Sequence, residues 1–150
     1  MDSIDRRLLA LVQGDGALTN QEVGDLIGLS ASQVSRRRQA LEGAGVIRGY
    51  AARLAPERLG FGVRAFVHVS LARHSPDNSR RFDDLVRRTP EIQEAHALTG
   101  EADYLLKVTV AGLADLARLI NEVLLPHQSV DRVRSEIVLE TLKETAALPL

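Results

Sequence analysis

"GLSASQVSRRRQALEGAGVI", residues 28–47, sets three consecutive arginines inside a helical pattern that opens on a serine and closes on two glycines. Ser30 before Ala31 reads as an N-cap, because a serine hydroxyl accepts a hydrogen bond from a free backbone N–H of the first turn. Gly43 and Gly45 permit the left-handed conformation that ends a helix. Val34 and Leu41 fall on one helical stripe. Gly-Leu-Ser at 28–30 joins this helix to an earlier one carrying Val23, Leu26 and Ile27, for which Asn20 reads as the N-cap. A first helix over Ile4, Leu8, Leu11 and Val12 precedes both. Two short helices joined by a brief glycine-containing connection have helix-turn-helix geometry. Beyond them, Val46 to Leu54 is expected to extend as a β-wing.

The chain around this stretch has 150 residues, 45% hydrophobic and 26% charged, the composition of a globular protein rather than of a disordered tail. With no cysteine it has no disulfide framework, no thiolate metal site and no cysteine nucleophile. The start, "MDSIDRRLLALVQGDG", carries acids and arginines ahead of a short apolar run without a cleavage site, and no apolar run reaches the roughly 18 residues of a membrane span. A cytoplasmic protein with no membrane partner is expected. The formal net charge of -1 excludes a protein that coats nucleic acid along its whole surface, so any such contact has to come from a local patch.

From about residue 61 the period changes from helical to alternating. "VRAFVHVSLA" puts Val63, Ala65, Val67, Val69 and Leu71 on one face and Arg64, Phe66, His68 and Ser70 on the other, the pattern of a half-buried strand. "PDNSRRFDDLVRRTP" predicts a helix with Phe82, Leu85 and Val86 inward, stopped at Pro90. "IQEAHALT" and "DYLLKVTV" predict two strands hinged around Gly100. "LADLARLINEVLLP" predicts a second helix halted by Pro126, and "VDRVRSEIVLETL" a last strand. The order β-α-β-β-α-β is ferredoxin-like, an antiparallel sheet with both helices on one face. The fold class is therefore α+β: residues 1–50 a winged helix-turn-helix, 51–61 a linker marked by "LAPERLGFG", and 62–150 the ferredoxin-like domain.

Two stretches carry a resemblance. "IDRRLLALVQGDGALTNQEVGDLIGLSASQVSRRRQALEGAGVIRGYAARLAPERLG" resembles the N-terminal winged helix-turn-helix of the Lrp/AsnC family of bacterial and archaeal transcriptional regulators, the feast/famine regulators. "HALTGEADYLLKV" is similar to the Thr/Ser-Gly-x-x-Asp stretch of that family's C-terminal amino-acid-sensing domain. The resemblance implies a sequence-specific regulator that binds double-stranded DNA. It further implies a small amino-acid effector and a homo-oligomer in which dimers assemble further, as far as an octamer.

On that reading the N-terminal part of the third helix lies in the major groove, and Ser32, Gln33, Arg36 and Arg37 are the candidate DNA-binding residues. Arginine suits the role because its planar fork takes guanine O6 and N7 together and stays charged beside phosphate. The other reading of the three arginines is a solvated helix face. Arg38 stands where the family usually has an apolar residue; it either snorkels along the core edge or meets a phosphate. Residues 1–50 carry six arginines against six acids, so one copy binds DNA weakly and a dimer multiplies the phosphate contacts.

In the second half, "LTGEADY" gives the candidate effector-binding residues Thr99, Gly100, Glu101, Asp103 and Tyr104. Gly100 lets a backbone approach a ligand, nearby amides can hold a carboxylate, and Asp103 can accept from an α-ammonium. Ser135, Glu136 and Ile137 on the last strand complete the expected pocket. The plain alternative is an ordinary hairpin turn with Asp103 solvated and Tyr104 in the core.

No catalytic residue, metal site or cofactor is expected. His68, His74, His96 and His127 are scattered, and the Gly-x-Gly triplets at 14–16, 43–45 and 60–62 are too short for a phosphate loop. The alternative class is a ferredoxin-like small-molecule-binding protein or enzyme whose helical N-terminus mediates protein contacts.

Overall fold

A computed structural model of the chain describes residues 1–73 and 75–150, so His74 lies outside the described residues. The chain divides into two compact units, Met1–Arg53 together with Leu142–Leu150, and Leu54–Thr141.

The first unit holds α1 (Ser3–Gly14), α2 (Asn20–Ile27) and α3 (Ala31–Gly43) around one core of Leu8, Leu9, Val12, Val23, Ile27, Val34 and Leu41. Each helix opens on a reciprocal capping box: Asp2 with Asp5, Thr19 with Glu22, and Ser30 with Gln33. Such boxes satisfy backbone donors that the first turn leaves unpaired. Ser30 caps as expected. The second cap is Thr19 rather than Asn20, because its hydroxyl accepts from the Glu22 N–H while the Glu22 carboxylate accepts from the Thr19 N–H. Asn20 is instead the first helical residue.

The α2–α3 connection is set by two glycines with different reasons. Gly28 sits at φ 77°, in the left-handed region that favours glycine. Gly24 is buried, and a Cβ there would stand 2.4 Å from the Leu29 carbonyl oxygen. The Leu29 N–H in turn donates to the Gly24 carbonyl at 2.9 Å.

The expected wing is not formed. Val46–Leu54 contains no strand and is mostly exposed, since an extended segment without a neighbouring strand has no ladder to join. Residues 142–150 complete this unit. Gln13 clasps Leu148, its Nε2 donating to the Leu148 carbonyl and its Oε1 accepting from the Leu148 N–H, both at 2.9 Å.

The second unit begins with a 3-10 turn, Pro56–Leu59, inside the stretch read as linker. Then come β1 (Val63–Leu71), α4 (Pro76–Arg88), β2 (Ile92–Ala97), β3 (Tyr104–Val110), α5 (Leu113–Arg118) and β4 (Val130–Ile137). The sheet order β2-β3-β1-β4, antiparallel throughout, is the ferredoxin-like arrangement. Phe82 of α4 and Leu116 of α5 share one core with Ala65, Val67, Val69, Leu106 and Val108, so both helices cover the same face. Beyond Arg118 the expected helix widens into a π turn, Leu119–Leu124. Leu119 and Leu124, five residues apart, are both buried, which the extra residue per turn allows. β4 ends at Ile137, so residues 138–142 lie outside the strand expected there.

Replacing Gly24 by alanine forces the Leu29 carbonyl away and is expected to destabilise the chain by about 1–3 kcal/mol. Denaturant unfolding measures it, and an unchanged midpoint would show that the turn relaxes freely.

Candidate functional site

On a helix advancing about 100° per residue, Val34 and Leu41 define the inward direction of α3. Ser32, Arg36 and Gln39 then lie on the opposite side, Gln33 and Ala40 flank them, and Arg37 and Arg38 straddle the core edge. Exposure agrees: Ser32, Gln33, Arg36, Gln39 and Ala40 are exposed, whereas Arg37 and Arg38 are half-buried. Gln33 spends its Oε1 on the cap, accepting from Ser30 N at 2.9 Å and Ser30 Oγ at 3.0 Å, which leaves its amide donors unpaired among the described residues. Arg36 has no ion pair or hydrogen bond among the described residues.

Arg37 and Arg38 are both engaged within the unit. Arg37 Nη1 donates to Asp2 Oδ2 at 2.9 Å and to Asp5 Oδ1 at 2.6 Å. The other oxygen of each carboxylate serves the cap of α1: Asp2 Oδ1 accepts from Asp5 N, and Asp5 Oδ2 from Asp2 N. The Asp5 N–H and then Arg37 hold the Asp2 carboxyl below its usual range, and the two aspartates raise the Arg37 guanidinium. Arg38 follows the snorkelling reading. Its Nη2 donates to the Leu18 carbonyl at 2.8 Å, its guanidinium lies 5.9 Å from the Tyr50 ring centroid, and Tyr50 Oη donates to Glu42.

In the second unit, the residue paired across from another in the ladder shares its face. His68 pairs with Arg134, Ser70 with Arg132 and Phe66 with Glu136, so these six stand on the sheet face opposite α4 and α5. A cavity of about 260 Å³ opens at one end of that face. Its floor is His68 and Ser70 from β1 with Arg132 and Arg134 from β4, and the β2–β3 loop closes it with Leu98, Thr99, Glu101 and Ala102. Arg132 Nη1 lies 3.9 Å from Glu101 Oε1, and Arg134 Nη2 lies 3.3 Å from Glu136 Oε1. Two guanidiniums, a carboxylate and hydroxyls beside apolar Leu98 and Ala102 suit a small zwitterion with an apolar side chain.

Of the effector residues expected from sequence, Thr99 and Glu101 line this cavity and Gly100 lies between them at φ 140°, a backbone conformation that favours glycine. Glu136 reaches the cavity through Arg134, and through His68 at 3.9 Å. Asp103 does not line it. Its N–H donates to the Val69 carbonyl at 3.0 Å and its Oδ2 accepts from the Leu71 N–H at 2.7 Å, so it fastens the loop to β1. Tyr104 packs on the Phe82 ring, centroids 4.7 Å apart, on the core side. Ser135 and Ile137 pair with Val67 and Ala65 and therefore point to the helix-covered side. Arg132 and Arg134 were missed, although strand alternation through Val133, Ser135 and Ile137 places them opposite. Among the described residues no group of three or more His, Cys, Asp or Glu is placed to hold a metal ion, and no helix is long and apolar enough to cross a membrane.

A capped helix-turn-helix with a polar outward face, on one chain with a ferredoxin-like unit that carries a ligand-sized cavity, has the layout of a ligand-responsive regulator. Residues 1–42 match the AsnC-type helix-turn-helix domain and residues 64–148 the Lrp/AsnC ligand binding domain. The chain belongs to the Lrp/AsnC family. It is 36% identical over 148 residues to the leucine-responsive regulatory protein of Escherichia coli K12, covering 99% of this chain and 90% of that one. Among solved structures, a transcriptional regulator of Neisseria meningitidis in complex with L-Met superposes with a TM-score of 0.96 at 38% identity, over 99% of this chain and 96% of that one. An AsnC family regulator of Agrobacterium tumefaciens gives 0.93 at 33% identity, over 99% and 97%. These relatives are regulators of transcription, and the chain is a regulator of that family rather than an enzyme.

Proposed function

We propose that this protein binds double-stranded DNA in a sequence-specific way through the outward face of α3, and that a free amino acid in the cavity of the second unit alters that binding. The observation that carries the DNA reading is the outward set itself. Ser32, Gln33 and Arg36 stand on the amino-terminal half of a capped helix, and Arg36 is charged and unengaged among the described residues. A recognition helix reads base edges from that half.

The effector reading rests on the cavity's donors. Arg132 and Arg134 hold the carboxylate, Glu101 accepts from the ammonium, and Leu98 and Ala102 receive an aliphatic or thioether side chain. Asp103 serves by holding the loop that carries Glu101. The names of the leucine-responsive relative and the L-Met complex support an apolar amino acid. Coupling to DNA then takes the usual form, an effector that favours one arrangement of the assembly over another.

Assembly uses the uncovered sheet face. There Phe66 is exposed, Lys107 pairs with Glu94 at 2.9 Å, and Glu94 is held below its ordinary range by Lys107 and then His96. A face mixing an aromatic with charges of both signs is self-complementary and suits a two-fold pair of identical subunits.

Arg36→Ala is expected to weaken binding to a duplex selected by the protein from a random library by about 1–3 kcal/mol at fixed salt, with the fold intact. Gel shift measures it, and undiminished affinity removes α3 from the interface. Calorimetry across the twenty amino acids should find a binder whose affinity falls at least about tenfold in Arg134→Gln, the loss of one charge-assisted contact. Silence of the wild type throughout, or equal binding by the variant, overturns the cavity assignment. Light scattering at micromolar concentration should show a dimer or larger, dissociating in Phe66→Arg; a monomeric wild type overturns the pairing.

A further inference from the structure

Resting on the DNA-binding reading above, the geometry assigns different tasks to the two adjacent arginines of α3. We propose that Arg37 is a positioning residue, not a DNA contact, and that Asp2 and Asp5 hold its charge as an internal stand-in for phosphate.

Direction comes first. Arg36 projects opposite Val34 and Leu41, whereas Arg37 is rotated about 100° further round the helix, toward α1. Engagement comes second. Two anionic oxygens meet Arg37 at a single nitrogen, Nη1, at 2.9 and 2.6 Å, much as the non-bridging oxygens of a phosphodiester would. The third point is preorganisation. Each aspartate already has its other oxygen fixed in the reciprocal cap of α1, so holding Arg37 orders no further group. A DNA phosphate arriving at Arg37 has to displace two carboxylates that are covalently tethered and in place, a contest of high effective concentration.

Two consequences follow from this clamp. It ties α1 to α3 and fixes the attitude of the helix that reads DNA. It also withholds one positive charge from nucleic acid of any sequence, so that binding depends more on Arg36 and its polar neighbours and less on undirected phosphate attraction. The residues at the start of the chain thereby contribute to discrimination without touching DNA.

The experiment compares wild type with Arg36→Gln, Arg37→Gln and the double variant Asp2→Asn/Asp5→Asn as full-length chains. Asparagine keeps a side-chain oxygen for the cap. Binding is measured from low to high salt on a random-sequence 30-base-pair duplex, and on a duplex enriched by the wild type from a random library. Each phosphate neutralised changes the slope of log K against log salt by about 0.9. On random duplex, where no base register is fixed, the Arg36 charge rests on phosphate, so Arg36→Gln is expected to flatten the slope by about that much per subunit in contact. Arg37→Gln should leave that slope unchanged while the preference for the enriched duplex falls roughly tenfold, the size of one lost oriented contact. The double aspartate variant should steepen the slope by about 0.9 per subunit, tighten binding to random duplex and lose preference.

A slope loss in Arg37→Gln equal to that in Arg36→Gln makes Arg37 a phosphate contact and overturns the proposal. So does a double aspartate variant with wild-type slope, a test that stands even if Arg37→Gln fails to fold. Failure of the wild type to bind either duplex is a separate result, which removes the DNA-binding reading and this inference with it.

Discussion

The contact between Gly24 and the Leu29 carbonyl governs the first unit. Because no side chain stands between them, the end of α2 and the start of α3 approach to backbone distance, and Gly28 turns the chain in the left-handed conformation that the approach requires. With that angle fixed, Val34 and Leu41 fall into the core beside Leu8 and Val23, and every other direction around α3 acquires a meaning. Arg36 faces outward, Arg37 meets α1, and Arg38 lies along the core edge toward Leu18 and Tyr50. Three arginines alike in sequence become three residues with different surroundings through one close approach.

A comparable economy operates in the second unit, where β1 is an inner strand, paired with β3 on one side and β4 on the other. Its alternation sends Ala65, Val67 and Val69 under the helices and Phe66, His68 and Ser70 to the uncovered face. Asp103 then joins the β2–β3 loop to the end of this strand by one backbone and one side-chain hydrogen bond. That fastening holds the loop beside the strand where the two line the cavity. The acid with the strongest sequence signal thus acts by shape, while the charges that face the cavity come from Glu101, Arg132 and Arg134.

What the sequence made legible follows from how local each signal is. Helical spacing and serine, threonine and aspartate caps act within four residues, so the three helices and the cap at Ser30 could be read directly. Thr19 and Asn20 are both cap formers, and only the reciprocal bond with Glu22 decides between them. The wing was expected from an extended run, yet a strand needs a partner that the run does not encode. Strand alternation was sufficient to read the buried face of β1 and, applied to β4, would have exposed Arg132 and Arg134. The ion pairs of Arg37 with Asp2 and Asp5 span more than thirty residues, and no local pattern announces them. The function was legible through two motifs whose order along the chain carried the resemblance.

Residues 142–150 belong to the same compact unit as residues 1–53, clasped by Gln13 against Leu148. In chain topology, then, the second unit is a guest inserted between two parts of a host. During synthesis the three helices emerge first and the sheet follows in one uninterrupted stretch, whereas the clasp has to wait until residues 54–141 have been made. The guest is continuous in sequence and closes on itself; the host is the part whose completion comes last, in the vectorial order in which domains leave the ribosome.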